Sequence, residues 1–182
     1  MKYRDKKNEQ IDLPEIPQEL YQGFEKVYNH LNSTNQRPLL KLKKIYDFME
    51  IYSDFVPTFT VCAKGCSYCC SIDISVLEVE AKYIEENSSI KIKRPLKGPT
   101  HGNKSKCPFL SGNECSIYEI RPFQCRTFFT LDDPKHCENG EEYKIYGSFV
   151  GGYTLEFYKK FDEILHELNG NKSILDIRNY FG

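Results

Sequence analysis

From Gln18 onward, Leu20, Phe24, Val27 and Leu31 recur at spacings of four, three and four residues, which places them on one face of a helix. Turn-forming residues between Asn32 and Arg37 interrupt the stripe. Pro38 then suits the first turn of a second helix, where its missing N–H would have found no partner anyway. That helix carries Leu42, Ile45, Met49 and Tyr52, and Pro57 closes it. The two segments predict an antiparallel helical pair over 17–57 that packs on whatever follows. Residues 1–16 are mostly polar, contain Pro14, and are expected to form a flexible lead-in.

Farther along, Ile72, Ile74 and Val76 alternate like a short strand, and Ser75-Val76-Leu77-Glu78 has the spacing of a capping box opening a helix over 76–87. Residues 91–106 hold Lys91, Lys93, Arg94, Lys97, Lys104 and Lys106 with no acidic residue, and with Pro95, Gly98, Pro99 and Gly102 they predict a loop. Cys107-Pro108-Phe109-Leu110 and Cys115-Ser116-Ile117-Tyr118 flank a Gly112-Asn113 turn and predict a tight hairpin-like knuckle. A last long helix is expected from Thr154 to Leu168, with Tyr158, Phe161, Leu165 and Leu168 on one face and Asn169-Gly170 as its stop. Ser173 to Asp176 would cap one further short helix. No internal repeat is present. The pattern predicts a mainly α fold with irregular cysteine-rich loops and minor β (α+β). It would be a compact single domain over 17–182, in which 60–137 forms the core of the chemistry and 150–182 supplies C-terminal helices.

Composition narrows the function. The 182 residues are 40% hydrophobic and 28% charged, with a net charge of −1 and a pI near 6.4. That balance gives no polycation for nucleic acid. No run of 18 apolar residues occurs, so no spanning helix is expected, and Met1 to Lys7 is not followed by the apolar stretch of a secretory signal. A cytoplasmic protein with no membrane partner is the expectation. All eight cysteines fall between Cys62 and Cys137. In a reducing compartment disulfides do not persist, and clustered thiols point to a metal.

The first cysteine group is Cys62-x3-Cys66-x2-Cys69-Cys70, and the second is Cys107-x7-Cys115-x9-Cys125 with Cys137 beyond it. A C-x2-C step lets one loop present two sulfurs to one ion, and soft thiolates select zinc, cuprous copper or iron–sulfur clusters. Cys69 and Cys70, being adjacent, should face different ways. Eight thiols divide into two four-thiolate sites, and they equally allow one four-iron cluster with four thiols left over. The second group is spaced too widely to close a site from one local loop, so Cys66, Cys69, Cys70, Cys107, Cys115 and Cys125 are expected to converge, with Cys62 and Cys137 as additional members. Arg121 and Arg126 flank Cys125 and would offset the charge of a buried thiolate centre, contacting the cofactor. His136 precedes Cys137 and could replace a thiolate. His30 and His166 fall in helices, and His101 lies in the basic loop, which is either solvated or a lid for an anionic partner. Gly147-x4-Gly152 lacks the lysine of a phosphate loop. No Ser/His/Asp grouping stands out, so no catalytic residue is assigned.

The sequence from Cys107-Pro108-Phe109-Leu110 through Cys115-Ser116-Ile117-Tyr118-Glu119-Ile120-Arg121-Pro122 to Cys125-Arg126, taken with Cys66-Ser67-Tyr68-Cys69-Cys70 and the helix containing Glu80-Ala81, resembles the YkgJ-type cysteine-cluster family of zinc- or iron-chelating domains. The resemblance covers roughly 60–137. It departs from the usual first tag by one residue, since Ala63, Lys64 and Gly65 separate Cys62 from Cys66 where two residues are the rule. The family includes flagellin lysine methylases, so the resemblance also implies a protein methyltransferase acting on a protein substrate as an alternative, beside an iron–sulfur oxidoreductase or a purely structural zinc protein. Cys62-x3-Cys66-x2-Cys69 is in addition similar to the tag of radical S-adenosylmethionine enzymes, in which three thiolates leave one iron open to the cofactor. Those enzymes resemble partial barrels, however, and no strand–helix alternation follows Cys69. On the tag and on the apolar Pro108-Phe109-Leu110, an iron–sulfur cluster is expected ahead of zinc.

Overall fold

The computed structural model describes residues 13–62, 64–96, 98–103, 105–139, 145–146 and 155–182. Helix α1 (Gln18–Ser33) and helix α2 (Pro38–Phe55, with Pro38 in its first turn) form the expected pair. Lys41 Nζ closes their connection on the Leu31 carbonyl at 2.5 Å, and Phe24, Leu31, Leu42, Ile45, Met49 and Tyr52 are buried.

A 3-10 turn, Tyr68–Ser71, carries Cys69 and Cys70. Strand β1 (Ser75–Leu77) then leads directly into helix α3 (Glu78–Asn87). The helix thus starts later than the capping-box reading placed it. Ser75 belongs to the strand, and its N–H goes to Gln124 Oε1 at 2.6 Å. The reaching-back carboxylate is Glu80, whose Oε2 accepts the Leu77 N–H at 3.0 Å. Strands β2 (Leu110–Ser111) and β3 (Glu114–Cys115) make the expected knuckle, turning through Gly112 at φ +61°, a conformation that costs glycine little.

Helix α4 (Phe123–Thr127), strand β4 (Phe129–Thr130), helix α5 (His136–Asn139) and strand β5 (Ile145–Tyr146) follow, with β4 and β5 antiparallel. None of these four was expected from periodicity. Helix α6 (Glu156–Asn169) ends at Gly170, φ +58°, and buries Tyr158, Phe161 and Leu165 as expected. Thr154 and the Gly147-to-Gly152 stretch lie outside the described residues. Strand β6 (Ile174–Asp176) pairs antiparallel with β1, Val76 opposite Leu175, and Asp176 caps helix α7 (Ile177–Phe181) by accepting the Arg178 N–H at 2.8 Å.

The fold is α+β, and two apolar cores organise it. One is aromatic and lies among α1, α2 and α6, where Phe24, Phe48, Phe157 and Phe161 meet edge to face or tilted with centroids 5.2–6.2 Å apart. Such geometry adds to simple area burial. The second gathers Ile74, Val76, Ala81, Ile84, Phe109, Ile117, Ile177, Tyr180 and Phe181 beneath the cysteine loops. Helix α3 serves both: Val79 and Tyr83 face the first core, Ala81 and Ile84 the second. The basic loop contains no helix or strand among its described residues, and Lys91, Lys93, Arg94 and Lys106 are exposed. It is nonetheless tied down, because Ile92 and Leu96 pack on the second core and the Lys93 N–H reaches the Tyr180 carbonyl at 2.8 Å. No helix among the described residues is long and apolar enough to cross a membrane.

Candidate metal centre

All eight cysteines are free thiols; Cys137 is buried and the others are half-buried. Six of them, Cys66, Cys69, Cys70, Cys107, Cys115 and Cys125, border one small cavity of about 70 Å³. Among the described residues its wall contains no carboxylate and no imidazole; Ile74, Leu110, Ile117, Phe128 and Ile177 supply apolar cover and Arg121 the one charge. That donor set suits a soft metal and disfavours magnesium or calcium. Among the described residues no three His, Cys, Asp or Glu side chains are already arranged around a common point as ligands, so a metal would draw the thiols together as it replaced their protons.

Backbone bonds join the two sequence groups. The Cys107 N–H donates to the Cys70 carbonyl at 2.8 Å. Arg178 clamps the same junction: Nη2 donates to the Cys70 carbonyl at 3.1 Å, Nη1 to the Ile72 carbonyl at 3.2 Å and Nε to the Ser105 carbonyl at 2.7 Å. Asp176 holds the guanidinium at 3.1 Å while also accepting the Ile74 N–H at 2.8 Å. Both side chains are out of water, and a buried pair is tolerable when its remaining donors are satisfied, as here. Sequence reading did not find Arg178 or Asp176 as part of the site. The only signal was the capping position of Asp176, which says nothing about cysteines 106 residues away along the chain.

Cys62 and Cys137 do not border the cavity. Cys62 Sγ accepts the Thr130 N–H at 3.2 Å. Cys137 rides on α5, which packs against the 3-10 turn of Cys69 and Cys70. Arg121 has its guanidinium 3.8 Å over the Tyr118 ring and its Nε buried without a hydrogen-bond partner, on the cavity wall. Arg126 points elsewhere. It donates to the carbonyls of Arg121 and Glu119 at 2.9 and 2.5 Å, pairs with Glu50 at 3.3 Å, and lies 4.2 Å over the Tyr46 ring. It holds the turn that presents Arg121. His136 stands beside Cys137 on α5, half-buried, and His101 is exposed.

Protonation follows these surroundings. A hydrogen bond from Cys62, with help from the Tyr68 N–H, holds the Cys66 thiol down at about 6; the same bond and burial push Cys62 far up. The hydrogen bond to Cys69 raises Cys70. Loss of water raises Cys115 and Cys125 and pushes Cys107 and Cys137 up to about 11. Arg178 opposes this rise at Cys70 and Cys107, and Arg121 opposes it at Cys115 and Cys125.

Against known families, residues 61–146 match the model named CxxCxxCC, described as "Putative zinc- or iron-chelating domain". Over those residues the chain is similar to this family. The match supports a zinc- or iron-chelating role, with a metal ion as the partner. Neither the curated proteins nor the solved structures include a match to the chain.

Proposed function

We propose that this chain is a thiolate chelator that holds zinc or iron in closed, all-sulfur coordination, with the ion serving to organise the protein between its two cores. The observation that carries the reading is the soft cavity: six thiols from two distant segments share it, with no carboxylate or imidazole on its wall among the described residues. Four thiolates around one divalent ion leave a charge of about −2, and such a charge is costly to bury unless donors or cations stand nearby. Arg121 and Arg178 answer that need. An iron–sulfur cluster is the second form of the same reading, favoured by the apolar cover of Phe109, which meets Phe181 at 5.0 Å between ring centroids beneath the knuckle. A methyl-transferring enzyme using S-adenosylmethionine would need an iron left open by a three-thiolate tag. The position of α5 beside that tag offers it a fourth sulfur, Cys137, and so favours a closed site.

X-ray absorption at the zinc and iron edges of anaerobically purified protein tests this. Sulfur-only coordination at about 2.3 Å is expected at whichever edge is populated, with an iron–iron shell added if a cluster is present. Coordination dominated by nitrogen or oxygen would contradict the proposal.

A further inference from the structure

We propose that the eight thiols form two separate four-thiolate centres that meet at the Cys69–Cys70 peptide, Cys62, Cys66, Cys69 and Cys137 holding one ion and Cys70, Cys107, Cys115 and Cys125 the other. This rests on the chelating reading above and divides its ligands.

The division starts from the 3-10 turn. With three residues per turn, neighbouring side chains leave its axis about 120° apart, so Cys69 and Cys70 depart from it in different directions, although both thiols border the cavity and are hydrogen-bonded to each other. On one side, the Cys70 carbonyl is bonded to the Cys107 N–H, the β2–β3 register sets Cys115 opposite Leu110, and α4 brings Cys125 to the same cavity wall. On the other side, β4 supplies the Thr130 N–H to Cys62 Sγ, and α5 lays Cys137 against the turn, with neither thiol on the cavity. The Cys62 and Cys66 thiols are hydrogen-bonded to each other, so Cys66, which also borders the cavity, is tied to the thiols off it. The surroundings differ too. Two arginines face the second group, whose Cys107 and Cys115 also take the Phe109 and Ile117 N–H groups, while the first group takes those of Thr130 and Tyr68. Each ion would displace the thiol protons of its own four sulfurs into solvent.

Zinc titration of the reduced, metal-free full chain against a chromophoric chelator tests the division. The wild type should take two equivalents. Cys62→Ser, Cys137→Ser and the Cys62→Ser/Cys137→Ser pair should each take one, because all three damage the same centre, and Cys125→Ser/Cys137→Ser should take none. A readout independent of any variant is alkylation mapping of wild-type protein holding one equivalent of zinc. Protection should fall in blocks, Cys70, Cys107, Cys115 and Cys125 together and Cys62, Cys66, Cys69 and Cys137 together. A wild type saturating at one equivalent, or protection mixed across the two blocks, overturns the division while leaving chelation standing. No zinc uptake at all overturns both.

Discussion

Arg178 spends its guanidinium on three carbonyls and one carboxylate, all within the junction between the cysteine segments. Replacing it with methionine leaves the Asp176 carboxylate buried and short of its counter-charge, and breaking such a pair costs about 3–5 kcal/mol. Arg178→Met should therefore lower the stability of metal-loaded protein by about that amount in a urea titration, and the metal of the Cys70 group should leave first. An unchanged midpoint would contradict the role given to Arg178. A second prediction concerns Cys66. Its thiol sits near 6 while Cys107 and Cys137 sit near 11, and the thiolate is the reactive form. In metal-free protein at pH 7, limiting iodoacetamide should label Cys66 ahead of Cys107 and Cys137, and the advantage should fade as pH drops through about 6. Equal labelling, read by peptide mass, would refute it. At this scale the cysteines were legible because thiols are rare and their spacing is dense. Arg178 was not, since a lone arginine in Ile177-Arg178-Asn179-Tyr180-Phe181 has no spacing that ties it to Cys70.

Helix α3 is the element through which the two cores communicate, and Glu80 is its anchor. The fully buried carboxylate accepts the Phe123 N–H at 2.7 Å, the Tyr46 hydroxyl at 2.8 Å and the Leu77 N–H at 3.0 Å. It thereby binds α2, α3 and α4 to one point, immediately before Cys125. Burial pushes the Glu80 carboxyl up, and those three donors pull it back. Glu80→Ala would leave three donors unpaired, at about 1–3 kcal/mol each, so a loss on the order of 3 kcal/mol or more is expected in thermal or urea unfolding. A loss under about 1 kcal/mol would show that water or repacking replaces the carboxylate. The long helices were legible because their apolar faces repeat over several turns. The β1–β6 pairing was not, because strands of three residues carry little periodicity and their partners lie 101 positions apart, Ser75 against Asp176. That pairing also explains the displaced start of α3: the ladder holds Ser75 extended, and Glu80 rather than Glu78 closes the first turn.

The molecule as a whole joins an aromatic core that stands on its own packing to a smaller core held under the cysteine loops. Metal-binding energy becomes folding energy wherever the unfolded chain has no preformed site. Stripping metal under reducing conditions should therefore speed hydrogen exchange at 66–71, 105–117 and 177–181, while the buried stretches 42–52 and 157–165 keep most of their protection. Uniform loss across both sets would mean one cooperative unit rather than two layers. The α+β class and the helical pair were readable in advance from stripes and proline positions. The convergence of α5 on the 3-10 turn was not, because four residues around Cys137 have no pattern beyond the thiol itself.

If these thiols hold metal, native mass spectrometry of the anaerobically purified full chain will show a mass above that of the bare chain by bound zinc, or by iron with inorganic sulfide. That excess should disappear on acidification while eight free thiols become titratable. A native mass equal to the bare chain, with all eight thiols already reactive before acidification, would contradict metal binding by these thiols.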